Sequence, residues 1–373
     1  MFRHFFKFDW ILIAAALLLL SVGLLALYSI SSIDEGVNYF QKQIAFAGLG
    51  LAVMLFAASL DYRHVAKYST LLYFVTLGVL VTVLLFGTTV RGTAGWLSFG
   101  FFQVQPVEVA KVTLIIFLAS FITKKNSELG EWTRVIASLI LSAALIFLVL
   151  KQPDLGSGLV LAAIWIGMIL ASGLRFKHFF VLALLGATLI AGSWFVLADY
   201  QKNRIETFLH PELDPQGSGY NVLQAIVAVG SGGITGKGIG HGSQSQLSFL
   251  PEKHTDFIFA VVAEELGLVG AIFIIVLYLV LLYRVKRVGD MASDNFGYLL
   301  AVGMLIMLFT QIAVNVGMNV GFLPVTGLPA PLLSYGGSSL VSICFSLGLL
   351  LSVYRRKKGN VDMRISLERS VLD

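Results

Sequence analysis

Ten stretches of this chain, each sixteen residues or longer and nearly free of charge, leave it almost nowhere to fold except a lipid bilayer. They run over 11–30, 44–60, 71–86, 107–122, 135–150, 156–172, 179–198, 257–283, 296–322 and 332–353. A helix needs about 20 mostly apolar residues to cross a hydrocarbon core about 30 Å thick, because each residue rises about 1.5 Å. Lipid offers the backbone no hydrogen bonds, so each stretch must satisfy its own, which predicts an all-α polytopic protein of ten transmembrane helices. Only 13% of the 373 residues are Asp, Glu, Lys or Arg, where a soluble domain carries roughly 25%. An ordinary soluble enzyme is thereby excluded, and 28 Phe exclude a disordered chain. The first stretch is too long for a signal-peptide core and reads as a retained anchor. The single cysteine, Cys344, permits neither an intrachain disulfide nor a thiolate zinc cluster.

Lys and Arg gather on the cytoplasmic side of a membrane, which orients the spans. With the N-terminus inside, 18 of the 26 fall on that side, seven on the other, and Lys111 within a span. Both termini are therefore expected in the cytoplasm, with 354–373 as a cytoplasmic tail. Attraction of these cations to anionic lipid heads accounts for the net charge of +5 without any nucleic-acid partner. The chain reads as one integral-membrane domain, 1–373, with extracytoplasmic loops at 87–106 and 199–256. The first loop carries Trp96 and an alternating stretch over 97–104. The second has 58 residues and nine glycines, and its spaced apolar residues at Val222, Leu223, Ile226, Val227 and Val229 suggest a short amphipathic helix.

Charges inside a bilayer cost about 2.5 to 3.5 kcal/mol each, so every one needs a partner or an aqueous cavity. Four stand in the spans: Glu108, Lys111, Glu264 and Glu265. Glu108 and Lys111 are three apart and share a helix face, just after Pro106, which suits a first helical position. Together with Asp154 and Asp256 these charges suggest one outward-facing polar pocket. Gln311, Asn315 and Asn319 form a stripe at intervals of four, which reads first as interhelical hydrogen bonding, with Asn319 near enough to the outer face to line a cavity. Ser334, Ser338 and the Gly336-Gly337 pair read as close helix packing in the last span. The glycines around Lys237 do not make a nucleotide phosphate loop, because Gly238 stands where Ser or Thr would bind magnesium. None of the six histidines has the spacing of a zinc hydrolase.

Several stretches carry a family resemblance. They are Gln105-Pro106-Val107-Glu108 with Lys111, Lys151-Gln152-Pro153-Asp154-Leu155-Gly156, and Gly230-Ser231-Gly232-Gly233 with Gly236-Lys237-Gly238. Two more are Leu250-Pro251-Glu252-Lys253-His254-Thr255-Asp256-Phe257 running on to Glu264-Glu265-Leu266-Gly267, and Pro331-Leu332-Leu333-Ser334-Tyr335-Gly336-Gly337-Ser338. In order and with ten spans, the chain resembles the SEDS family (shape, elongation, division and sporulation), multi-pass glycosyltransferases that polymerise peptidoglycan. Gly242-Ser243-Gln244-Ser245-Gln246-Leu247 and the short N-terminal segment resemble the elongation branch more than the division branch. One departure is that many relatives place an Arg before the loop tryptophan, whereas Gly95 precedes Trp96 here and Arg91 is the nearest cation.

The resemblance implies a bacterial cytoplasmic (inner) membrane protein that acts on lipid II, a disaccharide-pentapeptide carried on undecaprenyl pyrophosphate. It also implies a class B penicillin-binding protein, a transpeptidase, as partner. An α-linked donor giving a β-1,4 bond inverts at C1, which needs a base for the attacking hydroxyl. Asp256 is the candidate base. A helix N-cap is its plain structural alternative. Lys111, oriented by Glu108, with Lys237, Arg204 and Lys253, are candidate cations for the pyrophosphate, and Trp96 and His254 are further substrate contacts. Asp154 could position sugar or hold a divalent cation; the sequence requires no cofactor and leaves a metal open. Two other readings stand beside the enzyme: a lipid II flippase, and a scaffold for the transpeptidase without catalysis of its own.

Overall fold

The computed structural model describes residues 8–31, 38–90, 93–99, 102–124, 131–173, 206–208, 210, 218–247 and 249–357. Its elements are α1 (Trp10–Ser31), α2 (Tyr39–Ser59), α3 (Tyr62–Lys67), α4 (Ser69–Phe86), β1 (Thr88–Val90), β2 (Thr93–Phe99) and β3 (Phe102–Val104), then α5 (Pro106–Thr123), α6 (Glu131–Lys151) and α7 (Leu155–Ala171). After them come α8 (Ser218–Ser231), α9 (Ser243–Gln246), α10 (Ile258–Asp290), α11 (Asn295–Asn319) and α12 (Gly337–Arg355). Among the described residues eight helices are long and apolar enough to cross a membrane, and α7 is a shorter apolar helix of 17 residues. The expected span 179–198, the tail beyond 357 and Arg204 lie outside the described residues.

Local chemistry marks the helix starts. Asn38 Oδ1 accepts from Gln41 N–H at 3.0 Å, Asp61 Oδ1 from Arg63 N–H at 3.0 Å, and Asp154 Oδ1 from Ser157 N–H at 2.9 Å, so each carboxylate or amide satisfies an amide that the helix cannot. Pro106 opens α5, where its missing N–H costs nothing. α5 is the central helix, buried almost continuously from Pro106 to Ser120 by α4, α6, α7, α11 and α12. The alternating stretch of the first loop is the antiparallel sheet β1-β2-β3, with Leu97 opposite Val104 and Ser98 opposite Gln103. The amphipathic helix expected in the second loop is α8, packed on α10 and α11.

Two expectations need correction. The last helix begins at Gly337, not at 332, because 331–336 turns sharply: Leu333 and Ser334 N–H both bond back to Ala330 O. Moreover, α10 is not one continuous helix. Gly267 takes φ 66°, ψ −163°, a conformation that suits glycine, and breaks it after Leu266. The amides freed beyond the break are recovered by a neighbouring loop, with Leu268 N–H donating to Gly233 O at 2.9 Å and Val269 N–H to Ile234 O at 3.2 Å.

The junction of α10 and α11 carries a polar knot. Asp294 caps α11 through Gly297 N–H at 2.8 Å and accepts from the Tyr62 hydroxyl at 2.7 Å and Arg63 Nε at 2.9 Å. Burial pushes the Asp294 carboxyl upward, but the Gly297 amide, the Tyr62 hydroxyl and the Arg63 guanidinium together hold it below its ordinary 3.8. The unfolded chain thus takes up this proton first, so the contribution is complete above the ordinary value and is lost as pH falls toward the depressed one. Asp294→Ala is expected to lower stability by about 1 kcal/mol at neutral pH, with the gap to wild type closing below the ordinary value. Thermal unfolding followed against pH measures it.

Candidate functional site

A cavity of about 230 Å³ opens where the turn before α10, the β hairpin and the starts of α7 and α12 converge. Its lining includes Asp256, Thr255 and Glu252 from that turn, Trp96, Gln105 and Asp154, and Thr326, Gly327 and Tyr335 to Ser339. Trp96, Asp154 and Asp256, far apart in sequence, are thus brought together.

Asp256 sits on a turn whose backbone is fixed carbonyl by carbonyl. His254 O accepts from Tyr335 N–H at 2.9 Å, Thr255 O from the Ser334 hydroxyl at 2.5 Å, and Asp256 O from the side-chain amides of Asn315 and Asn319, each at 3.0 Å. The carboxylate points toward Gly327, where an added Cβ would lie 3.8 Å from Oδ2. The N-cap alternative is not realised. The cap position of α10 is Phe257, no side chain of its own turn caps it, and Ala260 N–H is taken at 3.0 Å by Asn319 Oδ1 from α11. Asn319 therefore does the capping, and its fully buried side chain does not line the cavity as the sequence suggested. Removing it strands the buried Ala260 N–H and takes from Asp256 O one of its two donors. Asn319→Ala should cost about 1–3 kcal/mol and slow turnover, while Asn319→Asp, which keeps the acceptor, should lose less. Melting temperature and product formation, measured together, test this.

Asp154 is first of all the cap of α7; its second oxygen accepts from Gln105 Nε2 at 3.4 Å. Ser338, expected in helix packing, instead accepts from Gln105 N–H at 3.0 Å and ties the hairpin to α12. His254 is not in the cavity wall. Its ring stacks on Tyr39 with centroids 4.1 Å apart, and Nε2 lies 3.8 Å from a Glu252 oxygen.

The four charges in the spans do not join this cavity, contrary to the single pocket expected. Lys111 is wholly buried, with Nζ 2.7 Å from Glu108 Oε1, one turn into the helix that begins at the cavity rim. Lys237 belongs to a separate clasp. Its Nζ lies 2.9 Å from Glu264 Oε1, which also accepts from Gln244 N–H, while Glu264 Oε2 accepts from Ser245 N–H. Glu265 Oε1 takes the Ser29 hydroxyl of α1 and Gly240 N–H. These glycines matter because the loop backbone must touch the broken helix: a Cβ on Gly236, at φ 82°, would strike Glu265 O. The clasp is linked to the site through Lys253, whose Nζ donates to Ser245 O at 3.1 Å.

Gln43 was missed by the sequence. Its amide donates to Ser334 O at 3.1 Å and accepts from Gly336 N–H at 3.3 Å, fixing the turn before α12. It stands just before the apolar stretch read as the second span, and the polar residue at its edge was the available signal. Among the described residues no group of three or more His, Cys, Asp or Glu side chains is placed to hold a metal ion.

Comparison with known proteins agrees with this architecture. The model of the cell cycle protein family of FtsW, RodA and SpoVE matches residues 9–359. Stage V sporulation protein E of Bacillus subtilis is 38% identical over 358 residues, covering 93% of this chain and 97% of its own. The peptidoglycan glycosyltransferase MrdB of Escherichia coli K12 is 39% identical over 349 residues, covering 93% of each. A solved chain from work on the coordination of polymerization and crosslinking by a peptidoglycan synthase complex superposes with a TM-score of 0.78 at 30% identity, over 93% of this chain and 98% of that one. The crystal structure of the rod shape determining protein RodA of Thermus thermophilus gives 0.70 at 29% identity, over 94% and 98%.

Proposed function

The chain belongs to the cell cycle protein family of FtsW, RodA and SpoVE, and from that premise we propose that Asp256 is the general base with which it polymerises lipid II into β-1,4-linked glycan during cell-wall elongation. It is a peptidoglycan glycosyltransferase and a multi-pass membrane protein. The observation that carries the role of Asp256 is the fixed turn: three successive carbonyls are held from α11 and from the segment before α12, so the carboxylate is presented to the cavity from a rigid support.

In the reaction, the C4 hydroxyl oxygen of one disaccharide attacks C1 of another, Asp256 takes the hydroxyl proton, and the bond from C1 to the pyrophosphate oxygen breaks with its electron pair leaving on undecaprenyl pyrophosphate. Trp96 offers a flat apolar face to a sugar ring, and Asp154 and Gln105 offer polar contacts beside it. The buried pair of Lys111 and Glu108 supports the wall from within α5.

The proposal includes ten spans with both termini in the cytoplasm of a bacterial inner membrane, a reading supported by the Lys and Arg distribution, the nine apolar helices described and the apolar stretch at 179–198. A class B penicillin-binding protein is the proposed partner, supported by the synthase complex from which a structural neighbour comes. The test is polymer formation from purified lipid II by the chain with its partner. Polymer is expected. Flipping of lipid II in liposomes without polymer would replace this reading by transport, and neither activity would leave a scaffold.

A further inference from the structure

Breaking the bond at C1 puts negative charge on the departing pyrophosphate, and among the described residues no Lys or Arg lines the cavity. The positive pole that does reach it is a helix end. α12 has Gly336 at its cap position with no side-chain cap, and its first three residues, Gly337, Ser338 and Ser339, line the cavity together with Gly336. The amides of a first helical turn have no partner inside the helix and carry the positive end of its dipole. At the neighbouring start of α7 that position is already filled by the Asp154 carboxylate.

A second observation also points to a ligand. Ser339 is only 9% exposed and lines the cavity, yet among the described residues its hydroxyl makes no hydrogen bond. Ser338 beside it differs, since its hydroxyl is engaged with Gln105 and Gln103. The turn feeding the helix is held by Gln43 on both sides, so the amides need not reorganise to receive charge.

We propose that the Gly337, Ser338 and Ser339 amides, with the Ser339 hydroxyl, form the subsite for the donor's pyrophosphate. This rests on the glycosyltransferase reading and assigns the leaving group to α12, with the base on the turn before α10 that lines the same cavity. When the C1–oxygen bond breaks, the electron pair arrives on an oxygen facing these donors, while the hydroxyl proton goes to Asp256.

The probe is a polyprenyl pyrophosphate, compared with the polyprenol of the same length, binding to the full chain in lipid nanodiscs. The wild-type chain is expected to hold the pyrophosphate at least about tenfold more tightly than the alcohol, as hydrogen bonds to a charged group would give. Ser339→Asp should abolish that preference, because it places a carboxylate among the donors at a helical position where an acid is favourable. Ser339→Ala should reduce it about threefold through the lost hydroxyl while the amides keep the remainder, and decides the matter alone if the Asp variant does not fold. Unchanged preference in Ser339→Asp of wild-type melting temperature would overturn the subsite. So would a preference that disappears when divalent cations are chelated, which would put a metal ion under the phosphates. A wild-type chain that shows the preference but makes no polymer sinks the glycosyltransferase reading alone; one that polymerises without the preference sinks the subsite alone.

Discussion

Asp256→Asn is expected to lower the rate of polymer formation by about 10²- to 10⁴-fold, the contribution of a general base, while leaving the melting temperature near that of wild type. Asparagine has almost the same shape as aspartate but takes no proton. What holds the turn is backbone: the carbonyls of His254, Thr255 and Asp256 are bound by Tyr335, Ser334, Asn315 and Asn319, and none of these bonds involves the residue being changed through its side chain. Stability and activity should therefore separate at this position. The measurement is polymerisation of labelled lipid II resolved by gel, alongside thermal unfolding of the same preparation. Polymer at the wild-type rate would remove Asp256 as the base. A rate loss that merely tracked a fall in melting temperature would return it to a structural role.

What the sequence made legible was whatever depends on short range. Apolar runs placed the helices, and alternation over 97–104 marked the hairpin. The i, i+3 spacing of Glu108 and Lys111 anticipated an ion pair that closes at 2.7 Å. The facing of Trp96, Asp154 and Asp256 into one cavity was approached only through motifs. What escaped depends on partners distant in the chain. Gly267 is invisible as a break because a lone glycine in an apolar helix is tolerated; only the carbonyls of Gly233 and Ile234, brought alongside by the glycine loop, make the break affordable. Asn319 reads as one member of a polar stripe, and nothing local reveals that it caps another helix and holds the carbonyl of Asp256. Lys237 and Lys111 carry the same charge in sequence, but the fold gives each its own carboxylate away from the cavity.

Lys111 is where the energetic consequence is largest. With the lysine wholly buried and Glu108 only 4% exposed at its side chain, neither charge can be solvated if the other is removed. Lys111→Met and Glu108→Leu, made singly, should each cost about 3–5 kcal/mol, because each strands a charge inside the bundle. Together, the two changes should recover most of that loss, since an apolar pair of similar volume avoids the desolvation penalty that the ion pair offsets. Thermal unfolding of the four proteins in one detergent reads this as a cycle, in which the coupling between the two sites should be strong and favourable. Activity of the double variant then separates two roles. If the pair only holds α5 in place beside the cavity, polymerisation should return with stability. If Lys111→Met instead melts as wild type does and loses only polymerisation, the lysine serves the substrate directly, and the anion subsite at α12 would have to share the pyrophosphate with it.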